Sequence, residues 1–492
     1  MSAYRNTTLA RVKIFTWESG AFQIPIDNAI NASSLVGFET SKTIGLPSGS
    51  WSVSLKPDVT QGRMRGKAWT DLIEQGDWVA IDVIKNGVPI GVITGVVDAI
   101  GCGISAGAEG AGDVNVTIRG RDCGAILEDT PIYFNPWDER HNNSVVTMMK
   151  VTEGEFGQDP AKLIVNLIRG FLGSDAMYGG MIRLPPGVTT VGPLWIDLVD
   201  TSVFVQKQLR GGIFEPAQML NTDNSSSLWA YFNQWRNPLM NEMFVDTNHA
   251  TSSDRRAYLV FRERPFVNRS DAKHSTWFRL ATHEIAPDTI VDLSLTKGLN
   301  RTNHVIVMNG DRSWLASAAY LKFRPAYDEK SINRYGLRRV EETTEYFSVD
   351  PTQSNTAPAD WTDLVLSWNA LNHRMWQGTI SLGEMRPEIR VGHRVKIPTP
   401  PANYHGLPHD LTLYVESVSH SYTEGETPGA STTIQVSRGY NDDKIVEDLL
   451  AAMAKFSTDY SFADSSSPNK GETAPDSAPA IGGASGASYE GS

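Results

Sequence analysis

Cysteine is nearly absent from this chain of 492 residues, which contains only Cys102 and Cys123. Two thiols are too few for a disulfide scaffold, so we expect both to be free in a reducing compartment. No apolar run reaches the length of a membrane-spanning helix, and the first residues lack the apolar segment of a signal peptide. The sequence therefore predicts no stable membrane insertion, and synthesis in the cytoplasm without secretion.

Basic residues are in the minority, because 44 Lys and Arg stand against 56 Asp and Glu and the formal net charge is −12. Nucleic-acid binding requires clustered basic side chains that neutralise phosphates, and Arg338-Arg339 is too short a run for this. We expect no sequence-specific binding of nucleic acid. An acidic protein can still surround nucleic acid without adhering to it, because like charges repel.

Catalytic motifs are missing as well. The chain has no G-x-S-x-G, no H-E-x-x-H and no paired C-x-x-C. Residues 101–112 are rich in glycine but lack the Gly-Lys-Ser/Thr ending of a phosphate-binding loop, so they predict a flexible loop. The sequence indicates a protein that is not an enzyme and that has no cofactor.

Two groups of residues could still carry chemistry. His405, His409 and Asp410 lie within six residues and are of the types that bind metals, but intervening glycine and proline predict a solvated loop with no metal. Asp77, Asp98 and Asp122 recur near strand ends. Paired carboxylates can hydrolyse glycosides, yet aspartate more often stabilises turns and caps, and we assign all three to that role.

The residues that are abundant favour β-structure in several domains. The chain has 42 Gly, 26 Pro and 13 Trp, which indicates many turns and aromatic packing. Its length predicts two to four domains. Alternating apolar residues predict strands that begin near Leu9, Ser34, Ser50, Trp78, Pro89 and Val114, and Asn86-Gly87 predicts a hairpin turn. Residues 5–125 should therefore form a small closed or nearly closed barrel.

The middle of the chain has a mixed pattern. Apolar residues at helical spacing predict helices over 160–171 and 225–235, and a strand pair should follow at 243–245 and 258–261. Strand patterns return after residue 290 and are clearest at 411–422 and 432–438. Residues 390–397 resemble residues 74–81, since each segment places a glycine before alternating apolar positions. This repeat suggests a second, related barrel.

The C-terminal region begins with an amphipathic helix. Five apolar residues share one stripe of this helix, and we predict that the stripe docks a partner unless it packs inside the chain: Ile445, Leu449, Leu450, Met453 and Phe456. Beyond it, residues 461–492 are of low complexity and too polar to fold alone.

Several segments in order resemble one known family. The pattern W-x-x-L-x-x-x-G-D-x-V-x-I from Trp69 to Ile81, with G-V-I-T-G-V-V-D and T-I-R-G-R-D after it, resembles the first tube domain of phage baseplate hub proteins. Residues 239–246 resemble the middle domain of that family, and residues 332–338 resemble its junction to a second tube domain. Residues 414–420 and 433–439 resemble the end of that domain. Residues 131–222 and the tail depart from the family pattern.

The resemblance implies a β-rich α+β multidomain protein with two tail-tube-type β-barrels and a mixed α+β middle domain. Its expected divisions are the first barrel over 1–130, the middle domain over 131–290, the second barrel over 291–440, the helix over 441–460 and the tail over 461–492. The implied function is the structural baseplate hub of a contractile tail, a homotrimer with pseudo-sixfold symmetry that lets DNA pass. Implied partners are the tail tube protein, the central spike protein, other baseplate proteins and the tape measure protein, in a virion assembled in the host cytoplasm.

Two other functions stay open on the sequence. A tail-associated cell-wall hydrolase would need a catalytic cleft with a carboxylate pair or a metal site. A tail protein that binds carbohydrate or a receptor would account for the 13 Trp, and would require tryptophans that are exposed and coplanar.

Overall fold

The computed structural model describes residues 9–18, 21–22, 34–60, 65–85, 87–106, 112–129, 227–234, 241–248, 256–267, 275–298, 301–309, 325–344, 362, 365–369, 371–399, 406–425 and 429–459. Three segments named above lie outside these residues. They are the predicted helix over 160–171, the segment 131–222 that departs from the family pattern, and the tail over 461–492. Among the described residues, no helix is long and apolar enough to cross a membrane.

Strands dominate the N-terminal part, as predicted. They are β1 (Leu9–Phe15), β2 (Trp17–Glu18), β3 (Ala21–Phe22), β4 (Leu35–Thr43), β5 (Ser50–Leu55), β6 (Trp78–Lys85), β7 (Val88–Ala106) and β8 (Gly112–Asp122). A 3-10 helix at Trp69–Asp71 precedes β6, and helix α1 (Ala125–Asp129) follows β8. The prediction of a loop over 101–112 is wrong at its start, because cross-strand pairing with β8 continues β7 to Ala106.

The remaining elements include the predicted helix near 225–235 and the predicted strand pair that follows it. They are α2 (Leu228–Gln234), β9 (Asn241–Asn248), β10 (Arg256–Glu263), α3 (Thr276–Arg279), β11 (Thr282–Glu284), β12 (Ile290–Lys297), β13 (His304–Asn309), β14 (Ala326–Tyr327), α4 (Glu329–Tyr335), β15 (Arg339–Thr344), β16 (Trp376–Leu382), β17 (Arg394–Ile397), β18 (Leu411–Thr423), β19 (Gly429–Asn441) and α5 (Asp442–Asp459). Further 3-10 helices lie at Pro287–Thr289 and Asn372–Arg374.

Twelve strands form one sheet that runs through both ends of the chain. Its order is β1-β6-β7-β8-β5-β4-β18-β19-β16-β12, and β17 pairs with both β18 and β11. The sheet is antiparallel except between β11 and β17. The middle segment contributes the separate hairpin of β9 and β10, and β13 to β15 form a small sheet of their own. The chain is therefore β-rich with few helices in the described part, as predicted.

The sheet consists of two halves with the same strand order. The N-terminal half runs β1-β6-β7-β8-β5-β4, and the C-terminal half runs β11-β17-β18-β19-β16-β12. Corresponding strands also occur in the same order along the chain. One difference is that β1 is antiparallel to β6, whereas the shorter β11 is parallel to β17. The repeat that the sequence suggested is thus a repeat of topology.

The repeat extends to single hydrogen bonds at the turns that precede β6 and β17. The Gly76 N–H donates to the Val97 carbonyl oxygen at 2.9 Å, and the Val97 N–H donates to the Asp77 oxygen at 2.8 Å. The equivalent bonds join Gly392 and His393 to Val415, both at 3.0 Å. Both glycines have positive φ, +94° and +77°, which glycine adopts without steric cost.

Each half encloses an apolar core on one side of the sheet. The first core contains buried Phe38, Trp51 and Val53, and it also takes Tyr422 from the second half. The second core is built mainly from β16 to β19 and is closed by Phe244 and Val260 of the middle hairpin. Ala10 of β1 and Tyr422 of β18, which lie on strands at opposite ends of this part of the sheet, belong to the same buried core.

The two equivalent glycines allow a matched test of this packing. An added Cβ at Gly76 would meet nothing within 4 Å, whereas one at Gly392 would lie 2.6 Å from Phe244 Cζ and 2.7 Å from an Arg262 nitrogen. Gly76→Ala should cost about 1–2 kcal/mol, because only the positive φ is penalised. Gly392→Ala should lower the free energy of unfolding by more, because the hairpin must also shift. Urea unfolding of both variants measures this, and equal losses would contradict the packing described.

Candidate assembly surface

The two halves meet along strand β18, which has different neighbours on its two edges. One edge pairs with β19 along its length. On the other edge, residues 411–414 pair with β17 and residues 417–423 pair with β4 of the first half. The ladder with β19 shifts register between Val415 and Ser417. A β-bulge of this kind bends and twists the strand, which lets one strand belong to both halves.

Short hydroxyl side chains cover the face of the sheet opposite the cores at this junction. Neighbouring strands place them side by side, so that Ser41 pairs with both Ser50 and Ser419, and Ser419 pairs with Thr433. The alternate residues, such as Trp51, are buried. Because the period of a strand is two, these hydroxyl side chains and the buried alternate residues lie on opposite faces of the sheet.

This polar face forms a concavity of about 540 Å³. Its charged lining consists of two carboxylates, Glu39 and Asp98, and one guanidinium, Arg119. Serine and threonine hydroxyls supply most of the remaining polar lining. The concavity therefore offers hydrogen-bonding groups without an excess of positive charge.

Arg121 lies at the margin of the polar face, where three carboxylates surround it. Its guanidinium donates to Asp98 at 2.9 and 3.0 Å, to Glu128 at 3.0 Å and to Asp129 at 2.8 and 3.0 Å. These hydrogen bonds, led by that to Asp98, raise the pKa of Arg121. The positive charge of Arg121 is thus neutralised by its own chain.

His420 is buried where β4, β18 and β19 meet. Its Nδ1 lies 3.1 Å from the Thr432 hydroxyl, and only 6% of the residue is exposed. Burial lowers the pKa of His420 to about 4, and the charge of Glu388 opposes this only in part. His420 is therefore neutral at pH 7, and its protonation would place a charge inside the junction.

A buried charged cluster fixes the middle hairpin on the second half. Arg262 donates to Glu242 at 2.6 Å and to the Gly392 carbonyl oxygen at 2.9 Å. The Tyr414 hydroxyl lies 2.8 Å from both carboxylate oxygens of Glu242. Burial and the neighbouring carboxylate raise the pKa of Tyr414, so this hydroxyl stays protonated and donates. Removal of one member would leave a buried charge unpaired, which typically costs about 3–5 kcal/mol.

Part of the apolar stripe of the predicted docking helix packs against its own chain. Ile445 and Leu449 of α5 are 4% and 5% exposed and pack with Trp277 and Tyr414, among others. These two side chains are therefore covered within the chain. The side chains of Leu450, Met453 and Phe456 lie outside the described residues, so their part in docking stays a prediction.

The three aspartates that the sequence singled out have two different roles. Asp77 accepts the Glu74 N–H at 2.8 Å and Asp122 accepts the Gly124 N–H at 2.8 Å, which confirms their assignment to turns. The assignment is wrong for Asp98, because this residue lies at the bulge of β7 and pairs with Arg121 across the strands.

The structure describes two of the three other candidates for chemistry. His409 is exposed, Asp410 pairs with Lys396 at 2.8 Å, and His405 lies outside the described residues. Within the described residues, no group of three or more His, Cys, Asp or Glu side chains could hold a metal ion. Cys102 is exposed, and Cys123 is buried, where its thiol donates to the Thr94 carbonyl oxygen at 3.3 Å.

Most tryptophans whose side chains are described lie in the cores. Five of them are at most 3% exposed: Trp51, Trp69, Trp78, Trp277 and Trp368. Trp229 and Trp376 are half-buried. Packing thus accounts for these side chains, and they form no exposed stacking platform in this part of the chain.

No family model and no curated protein matches this chain. Among solved structures, it is similar to the tail protein from Neisseria meningitidis MC58 at 12% identity and a TM-score of 0.40, over 87% of this chain and 96% of that one. The 43 kDa tail protein of prophage MuSo2 from Shewanella oneidensis matches at 12% identity and a TM-score of 0.45, over 87% of this chain and 98% of that one.

A Francisella PdpA–VgrG complex is also similar, at 8% identity and a TM-score of 0.42, over 88% of this chain and 58% of that one. These structural neighbours are two tail proteins and a VgrG-containing complex. At these values the similarity concerns the overall arrangement of the chain alone.

The burial of His420 predicts that acid weakens the junction. Its pKa is about 4 in the folded chain and about 6.5 when unfolded, so its contribution is fully present above pH 6.5 and is lost as the pH falls toward 4. Lowering the pH from 7.5 to 5 should therefore cost roughly 2 kcal/mol through this residue. Urea unfolding of His420→Gln should show a pH dependence smaller by that amount. The exposed His409→Gln serves as control, and an unchanged slope for His420→Gln would refute the assignment.

Proposed function

We propose that this protein is the structural hub of a contractile phage tail baseplate, a trimeric ring without enzymatic activity that joins the tail tube to the central spike. The observation that carries the proposal is the sheet with two topologically equivalent halves in one chain. Three such chains would present six equivalent units, so that a threefold ring could meet a sixfold tube. Heterologous contacts that close on themselves produce rings of this kind.

The polar face is the best candidate for the wall of the central channel. A channel that transmits DNA must not bind phosphates, and phosphate binding requires a surplus of Lys and Arg. The concavity carries Glu39 and Asp98 beside Arg119, and three carboxylates neutralise Arg121 at its margin. Its hydroxyl groups keep the wall wetted, and the net charge of −12 on each copy adds repulsion.

The remaining proposed partners follow from this placement. The tail tube protein would contact one rim of the ring and the central spike protein the other. Other baseplate proteins would bind the periphery, and the tape measure protein would reach the channel. The part of α5 beyond Leu449 remains a candidate for one of these contacts. The proposed location is the virion tail baseplate, after synthesis in the host cytoplasm.

A first test is the mass of the purified protein. Native mass spectrometry and light scattering should give three times the 54.0 kDa of one chain at micromolar concentration. Addition of purified tail tube protein of the same phage should then yield a larger complex that contains three copies of this chain. A species that stays monomeric at every concentration tested, alone and with the tube protein, would refute the hub.

A second test concerns the channel wall. The double variant Glu39→Lys/Ser52→Lys places two lysines side by side on the polar face, since these residues pair across β4 and β5. The trimer should then bind duplex DNA measurably more tightly, with a salt dependence steeper by about one unit per phosphate contacted. Fluorescence anisotropy at several salt concentrations measures this. Glu329→Lys/Asn333→Lys, on exposed positions of α4, makes the same charge change elsewhere, and an equal gain there would contradict the assignment.

A further inference from the structure

The two halves correspond residue by residue in the strands that form their junction. Strand β4 begins L-V-G-F-E-T-S-K and β12 reads I-V-D-L-S-L-T-K. The ladder of β4 with β5 shifts register at the second residue of the strand, and the ladder of β12 with β16 shifts at the same place. Their partners match too, since β5 ends S-V-S-L and β16 ends T-I-S-L.

Strands β7 and β18 correspond in the same way. Val97 and Val415 accept and donate the equivalent turn hydrogen bonds, and each is followed by a bulge, at Asp98 and at Glu416. Counting from these valines, Cys102 in β7 is the equivalent of His420 in β18.

Inside the chain, the second part of β18 is paired with β4. Ser419 lies opposite Ser41 and His420 lies opposite Thr40. Thr40 and His420 are each 6% exposed, so this pairing buries both strands.

The equivalent edges elsewhere have no partner strand among the described residues of one copy. The pairing of β7 with β6 ends at Val96, and among the described residues no strand pairs with that edge farther along. In the same part of the chain, β12 pairs only with β16. The burial agrees, because Cys102 is exposed where its counterpart His420 is buried, and Val291 of β12 is 74% exposed.

We infer that β12 of one copy pairs antiparallel with the end of β7 in the next copy, in the register of the internal junction. Leu295 of β12 then lies opposite Cys102 in β7 of the next copy. In the same register, Thr296 lies opposite Gly101 and Lys297 lies opposite Ile100, and these β7 residues also belong to the next copy. This inference rests on the proposed ring and specifies which edges close it. Among the described strands, each copy offers one unpaired edge of each kind, so every contact is heterologous and the sheet continues from copy to copy.

The favoured occupant of the β12 edge is therefore a second copy through β7, and not a second β12. A β12–β12 contact would reproduce no pairing found in the chain and would leave the edge of β7 open. It would also stop at a dimer, because isologous contacts close on themselves.

Disulfide trapping tests the register with one substitution. Leu295→Cys places a thiol opposite the native Cys102 of the next copy, and directly opposite residues in antiparallel strands have Cα atoms about 4.5–5.5 Å apart, within the range of a disulfide. Copper–phenanthroline, which accepts the two electrons, should convert the full-length protein into covalent dimers and trimers on a non-reducing gel. Buried Cys123 should not compete.

The controls separate register from mere proximity. Ser294→Cys, one residue away and on the opposite face of β12, should cross-link at least ten times less. Leu295→Cys/Cys102→Ser should not cross-link, whereas a β12–β12 contact would still join its two introduced thiols. A second pair, Ile100→Cys with Lys297→Cys in the Cys102→Ser background, should cross-link as well and guards against a folding defect of the first variant.

Each outcome bears on the inference. Cross-linking of both in-register pairs supports it. A trimer by mass in which neither pair cross-links, or in which Ser294→Cys reacts as well as Leu295→Cys, overturns the edge pairing and leaves the hub intact. A protein that stays monomeric, and that forms no covalent species, overturns the hub together with the edge pairing.

Discussion

The architecture depends on one strand that serves two halves of a sheet. Strand β18 pairs with β19 along one edge. Along its other edge it pairs first with β17 and then with β4. The division falls at Glu416, where the bulge changes the twist, and the Ser437 hydroxyl donates to its carboxylate at 2.5 Å. In the first half, Asp98 holds the equivalent bulge and pairs with Arg121. Each bulge is thus stabilised by a polar contact across the strands, so the bulge is a specific structural feature that both halves share.

The junction and the middle hairpin use different physical means to hold the same half in place. At the junction, the strands are joined by backbone hydrogen-bond ladders and by short hydroxyl side chains, and neutral His420 is buried among them. At the hairpin, the pair of Arg262 and Glu242 is buried with Tyr414 against the Gly392 turn. A buried pair of this kind favours one arrangement of the hairpin, because any other docking would leave a charge unpaired. The hairpin consequently fixes the turn that precedes β17.

Much of the fold could be predicted from the sequence because alternation is a local signal. The strands at Ser50, Trp78 and Leu411, and the turn at Gly392, follow from patterns within a few residues. Pairing between distant segments leaves no such signal, so the junction of β4 with β18 was not predictable from either strand alone. Asp98 was misassigned for the same reason, since its partner Arg121 lies on another strand. The loop predicted from Gly101 failed because glycine is tolerated in a strand when neighbours supply the ladder.

The same reasoning explains why the proposed assembly surface is inferred from the structure and not from a motif. A protein that builds a ring needs sheet edges and faces, and these consist of backbone groups and ordinary side chains. Thr40 and Leu295 have little in common as residue types, yet they occupy equivalent places in β4 and β12. What distinguishes them is that Thr40 is covered by β18, while no described strand other than β16 pairs with the strand of Leu295. A function of this kind is therefore read from equivalence between the halves, where one half shows in its own contacts what the other lacks.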